Sequence, residues 1–280
     1  MVDFRRALPD IQEKHERFLS SINKLNDGLL ERLLRIAELV AGRPESDLAE
    51  GTYLFVYLAL STKATSHAES TRSLIHAGRY GDASMLMRGF MGDVIMLQYI
   101  AAYPDSCPEI CEMSKVRDQG WARGSRYREL SDRFKESELR RMVSEAGDHP
   151  WAGEVYGLYS EPAHPSIFGL KFYGQQIKGA EAEFLMIWAP RFEQVASFRC
   201  ASGLTALLVD VVDTFFVWDQ RYGQRDWIED AAAEWTVVRE DYFDQVQSVT
   251  DYLIESHKRL YPPIADNTPR ASAPDARDSS

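Results

Sequence analysis

The residues of this sequence best placed to do chemistry are charges set inside apolar runs. Arg88 and Asp93 stand in the stretch from Met85 to Leu97, and Asp210 and Asp213 stand in the stretch from Leu204 to Trp218. A buried carboxylate without a partner costs several kcal/mol, so each is paired, protonated or used. Asp210 and Asp213 are three apart and share one side of a helix. Arg72, Arg88 and the histidines His67 and His76 are the candidate partners, with Arg72 and His76 four apart on one face. One reading is a closed ion-pair network that fixes how the central helices register. The other is a polar pocket between helices, where bundles house ligands. In that pocket Arg72 and Arg88 clamp an anionic group, and Asp93, Asp210 and Asp213 supply hydrogen bonds or hold a metal.

A second constellation runs from Tyr156 through Tyr159, Ser160, Glu161, Pro162 and His164 to Pro165 and Ser166. His164 lies between two prolines, so its backbone is restricted. A restrained imidazole beside Tyr159 could anchor a ligand or carry a proton. The plainer alternative is a histidine that caps a short helix and bonds into the bundle. Glu161 and His164 have the E-x-x-H spacing of di-iron bundles, but Pro162 interrupts the motif and no second copy follows.

Together the two stretches resemble a family of bacterial all-helical proteins of unknown function. That family carries an R-S-x-x-E helix and a Y-x-x-L-S-x-x-x-H-P-S segment. Here the first motif reads Arg88-Gly89-Phe90-Met91-Gly92-Asp93 and the second runs from Tyr156 to Ser166, so the resemblance spans residues 50–220. The family's acid falls on Gly92, and Asp93 lies about 100° further round the helix. The resemblance implies an all-helical fold, a shared polar site and a bacterial stress or defence setting. It implies no activity.

Signatures of other chemistries are missing. Helical ribonucleases of the HEPN type use Arg-x(4–6)-His, and Arg72 and His76 are too close for it. There is no P-loop, GxGxxG, GxSxG or HExxH motif. From Lys115 to Arg141 the chain holds nine basic residues against five acidic ones, with Trp121, Tyr127 and Phe134 among them. Such a strip could follow a phosphate backbone while rings stack on bases. Alternatively it is a solvated helix, or it faces an acidic surface such as the stretch from Asp226 to Asp244, in this chain or a second copy.

Helices must position all of these residues. Phe18, Ile22, Leu25, Leu29, Leu33, Ile36 and Leu39 form one stripe on a long helix over 10–41, ended by Gly42 and Pro44. Ser46 is the expected N-cap of a helix over 47–77 that Gly78 stops. Asp82 caps a third, over 83–103, which is apolar nearly all round and so belongs at the centre of a bundle. Its methionines read as core filler. Ser106 to Glu109 has the capping-box pattern for a short helix to residue 117, and a charged helix follows over 125–145. Residues 149–180 form an irregular insertion with a hairpin of 170–177 against 183–187. Helices over 191–220 and 226–260 complete the chain. The expected fold is a single all-α bundle of six or seven helices over 1–262, with a disordered tail over 263–280.

Composition narrows the classes. The chain has 280 residues, 45% hydrophobic, with a formal charge of −11, which disfavours a globally basic nucleic-acid binder. Cys107, Cys111 and Cys200 do not make a disulfide framework or a zinc pair. No apolar leader and no membrane span are read, so a soluble, cytoplasmic protein is expected. The preferred function is a binding module for a small polar ligand or a protein partner, without a resident cofactor or metal. One rival is a metal-dependent hydrolase or ribonuclease built from His67, Asp93, His164, Asp210 and Asp213. Another is a structural homodimer that weakens as salt rises.

Overall fold

The computed structural model describes residues 4–118, 124–146, 174–176, 184–186, 192–218 and 227–260. Nine helices lie in these stretches. They are α1 (Phe4–Phe18), α2 (Ser20–Ala41), α3 (Tyr53–His76), α4 (Tyr80–Ala102), α5 (Cys107–Asp118), α6 (Ser125–Arg133), α7 (Glu136–Ala146), α8 (Gln194–Asp213) and α9 (Glu229–Leu260). The fold is all-α, as the periodicity requires. Two three-residue strands, β1 (Gly174–Gln176) and β2 (Phe184–Met186), pair antiparallel with Gln175 opposite Leu185, inside the expected hairpin. The tail after residue 260 and most of the insertion lie outside the described residues.

Several boundaries differ from expectation for local reasons. The first long helix is two, with a kink at Leu19, yet the ladder continues across it from Leu19 N–H to the His15 carbonyl at 2.8 Å. The buried stripe therefore passes through the kink: Ile11, His15, Leu19, Ile22, Leu29, Leu33 and Ile36 all face inward. The second helix starts at Tyr53 rather than 47. Gly51 adopts φ 88°, which turns the chain out of the short 3₁₀ turn at Glu45–Leu48. Thr52, not Ser46, is the cap, its hydroxyl accepting from Phe55 N–H at 3.3 Å. Gly78, at φ 68°, stops α3 as expected. Ser106 donates to the Tyr103 carbonyl at 2.6 Å, tying down the 3₁₀ turn Pro104–Ser106 that leads into α5. The charged helix over 125–145 breaks into α6 and α7 because Leu130, Phe134, Leu139 and Val143 must all reach the core. The five-residue step from Phe134 to Leu139 would turn a continuous helix about 140° off its stripe.

The centre of the bundle is α4, packed against α3, α7 and α8, with α8 also against α2 and α3. Met87, Phe90, Met91, Val94, Leu97 and Ile100 of α4 are all buried. Met87 and Met91 thus fill core space, as read from the sequence. Polar ties fix α8: Tyr57 Oη donates to the Val211 carbonyl at 3.2 Å, and Thr205 Oγ1 donates to Asn26 Oδ1 at 2.7 Å. Beyond Asp213 the helix widens into one π-turn, Thr214–Trp218, before the chain returns as α9. Among the described residues no helix is long and apolar enough to cross a membrane.

Candidate functional site

α3 and α4 run antiparallel, which sets His67 and Lys63 of α3 beside Gly89 and Asp93 of α4. Asp93 is 4% exposed. Its Oδ1 takes Lys63 Nζ at 2.6 Å, and its Oδ2 stands 2.8 Å from His67 Nδ1, in ion-pair range but off the line of a hydrogen bond. The His67 ring lies over Gly89, where an added Cβ would sit 3.6 Å from Cε1 and 3.9 Å from Nε2. Asp93 thus holds the Nδ1 edge of an imidazole whose other nitrogen lies over the glycine.

On the other flank of α4, Arg88 Nη2 stands 3.5 Å from Glu136 Oε2 on α7. Arg88 and Asp93 are five apart, so they leave the helix about 140° from each other. The strip between them carries Met85, Gly89, Gly92 and Met96, one helical face at spacings of four, three and four. This strip is the uncovered part of an otherwise buried helix. Met85 is 41% exposed, Gly89 is exposed, and a Cβ added at Gly92 would have no atom within 4 Å. The result is an exposed strip with two glycines at its centre. Lys63, His67 and Asp93 line one side and Arg88 and Glu136 the other.

The remaining expected site residues stand elsewhere. Arg72 pairs with Asp27 of α2. Asp213, 3% exposed, takes Trp235 Nε1 on Oδ1 at 2.7 Å and the fork of Arg239, Nε at 2.7 and 2.8 Å and Nη2 at 2.7 Å. That is a clamp between α8 and α9. Asp210 lies beside this clamp. Burial first, and the Asp213 charge second, hold its carboxyl well above the usual carboxylate range, against the opposing pull of Arg239. The expected convergence of Arg72, Arg88, Asp93, Asp210 and Asp213 is therefore not what forms. Arg72, Arg88, Asp93 and Asp213 are paired, each with a residue of a neighbouring helix, because their helical offsets point them apart. Tyr159 and His164 lie outside the described residues.

A raised carboxyl means the folded state binds a proton more tightly at Asp210 than the unfolded chain does. Stability is then lost as pH rises from the usual aspartate range toward the folded value. Asp210→Asn, which mimics the protonated form, should stabilise the protein at pH 8 and lose that advantage at pH 3. Chemical denaturation at the two values checks this, and equal stability of both proteins at pH 8 would contradict the assignment.

Other chemistries find less support. Among the described residues no three His, Cys, Asp or Glu side chains come together as a metal site, since His67 and Asp93 stand in one pair and Asp210 and Asp213 in another. Burial pushes the thiols of Cys107 and Cys200 up to about 12 and about 11, and raises Cys111 as well. Thiols so shifted are not nucleophiles at neutral pH. Four of the nine basic residues of the strip are paired within the chain. Lys115 pairs with Glu50 at 2.7 Å, Arg126 with Glu112 at 2.8 and 2.6 Å, Arg133 with Glu109, and Arg141 with Glu138 and Glu145. These acids lie on α5, α7 and the turn before α3, not on the stretch from Asp226 to Asp244. A half-open cavity of about 360 Å³ lies between Arg43, Asp47, Thr52, Tyr53 and Trp227. Its guanidinium is already held, by Asp47 at 2.8 Å and by the face of Trp227 at 4.9 Å.

Sequence reasoning missed Lys63, which is mostly exposed and carries no local signal, and it missed His15 and Tyr80. His15 was detectable: it falls four residues from both Ile11 and Leu19, on the apolar stripe itself. Compared with known proteins, the chain matches no family model, no curated protein and no solved structure.

Proposed function

We propose that this protein is a non-covalent binding module whose glycine strip on α4 takes a small polar ligand with an anionic group. The observation that supports it is the exposed glycine strip on the central helix, flanked by an oriented imidazole and by two cations, Lys63 and Arg88. A bundle gains nothing by leaving its central helix uncovered there, and two glycines in a helix interior each cost about 1 kcal/mol relative to alanine. Backbone that a ligand approaches closely is where such glycines are used. Arg88 and Glu136 are both partly exposed, where exchanging a side-chain carboxylate for a ligand anion changes the energy little, while Lys63 keeps the buried Asp93 and offers its other N–H groups to the ligand. The acidic partners, Asp93 and Glu136, keep the strip electrically balanced.

The test is a thermal-shift series with phosphate, citrate, glutamate and adenosine monophosphate on wild type and Arg88→Ala. Arg88 is partly exposed, so the substitution should move the unliganded Tm by no more than about 2–4 °C. It should abolish the stabilisation that a binding anion gives wild type. If Arg88→Ala unfolds the protein instead, the Arg88–Glu136 pair serves the fold and not a ligand.

A further inference from the structure

At the other end of α3 a second cluster joins four helices. His15 of α1 is wholly buried. Its Nδ1 lies 2.8 Å from the Ile11 carbonyl, which can only accept, so that nitrogen carries the hydrogen. Its Nε2 lies 2.6 Å from Tyr80 Oη, the first residue of α4. In the neutral ring Tyr80 donates to Nε2 and accepts from Glu193 N–H at 3.0 Å. The His15 ring also packs edge-on to Phe192, with centroids 4.9 Å apart, and stacks over His76 at 6.1 Å and 20°. His76, at the end of α3, faces Asn23 of α2, with Nε2 3.3 Å from Nδ2. One imidazole from α1 thus touches α4 and the entry to α8, and a second imidazole, on α3, lies nearly parallel to it with centroids 6.1 Å apart.

We propose that His15 and His76 form an acid-released latch that holds α1 against the bundle. The fit requires neutral rings. A protonated His15 would be a buried cation whose polar contacts are a carbonyl and a phenol, not a carboxylate, and such a charge costs several kcal/mol. A protonated His76 would be a second cation stacked on it. The charged groups around them do not relieve this. Glu16 of α1 and Asp27 of α2 favour a charged His76, Arg72 of α3 opposes it, and Glu193 has its carboxylate turned to the Ala196 N–H at 2.5 Å. Tyr80 Oη also meets Ser197, so the phenol has a neutral partner to turn to but no charge to offer. Burial is the largest influence on both histidines, and both are held below their ordinary value.

The sign follows. Once α1 lifts away, the rings titrate near 6.5, above their docked values, so protons bind the released form better. Docking is complete above that pH and weakens below it. From pH 7.5 to 5.5 each proton taken up only on release contributes at most about tenfold, so two set a ceiling of about 100-fold. α1 is suited to lift alone: among its described side chains and the kink residue, Ile11, His15, Phe18 and Leu19 face the bundle, while α3, α4 and α8 bury the main core.

The test is hydrogen exchange on the full chain at pH 7.5 and 5.5, corrected for intrinsic rates. Amides of residues 4–18 should lose protection, by up to about 100-fold, while those of α3, α4 and α8 keep theirs. His15→Phe keeps the ring and removes one of the two titrations, so its α1 should lose no more than about tenfold in protection, and the double variant His15→Phe, His76→Phe should be equally protected at both values. Should His15→Phe fail to dock at all, the wild-type histidine Cε1–H titrations decide. Midpoints below 6.5 that coincide with loss of α1 protection support the latch. Unchanged α1 protection at pH 5.5, loosening of the whole bundle at once, or a pH response undiminished in docked His15→Phe overturns it.

Discussion

Asp213→Ala should lower the stability of the bundle by about 3–5 kcal/mol, a fall in Tm on the order of 10 °C. The size comes from what is left behind. Trp235 is fully buried, and its indole N–H, which now donates to Asp213 Oδ1 at 2.7 Å, would have no acceptor. Arg239 would lose both arms of its fork, although its partial exposure lets water recover some of that loss. Orphaned Trp235 therefore accounts for much of the cost, and Asp213→Asn should cost less, because an amide oxygen still serves the indole. Asp210 would gain as the neighbouring charge disappears, a smaller term of opposite sign. Urea unfolding of the three proteins measures this. A loss below about 1 kcal/mol for Asp213→Ala would mean that α9 is not anchored through Asp213.

The second large effect concerns binding rather than folding. Gly92→Trp should lower affinity for any ligand of the α4 strip by more than about 100-fold, which is about 2.7 kcal/mol or more, while leaving the protein folded. The position is unusual in allowing this. A Cβ added at Gly92 meets nothing within 4 Å, so an indole there starts from open space on the proposed site rather than from the core. Replacing a helical glycine also removes a propensity cost, so Gly92→Ala should raise stability by about 0.5–1 kcal/mol. A blocked strip in a protein at least as stable as wild type separates loss of site from loss of fold. The contrast within the bundle is Gly28 of α2, where an added Cβ would lie 2.6 Å from the Tyr242 hydroxyl, so that glycine serves helix packing.

The bundle was legible because its signal is periodic and additive. The stripe from Phe18 to Leu39, the all-apolar α4 and the stop at Gly78 each follow from spacing or backbone freedom within the helix concerned. What was not legible depends on where helices end up relative to one another. Arg88 and Asp93 look like partners in sequence because both interrupt one apolar run, yet a five-residue offset sends one toward α7 and the other toward α3. Lys63 gave no hint, being one exposed lysine among many until α3 and α4 dock. Asp213 was recognised as a residue needing a partner, but that partner, Arg239, lies 26 residues on, across the turn into α9. The break between α6 and α7 could have been read from the five-residue step between Phe134 and Leu139. The strip itself has a signature that needs the fold to interpret it: Met85, Gly89, Gly92 and Met96 share a face, and only packing shows that this face is the uncovered one.

Amide and imidazole NMR shifts of the isotope-labelled protein during titration with phosphate and citrate test the α4 site most directly. The largest shifts are expected at Lys63, His67, Arg88, Gly89 and Gly92, saturating together and vanishing in Gly92→Trp. Shifts confined to the surface of α6 or the Arg43–Trp227 cavity, or the same shifts persisting when Gly92 is tryptophan, would show that the α4 strip is not where this protein binds.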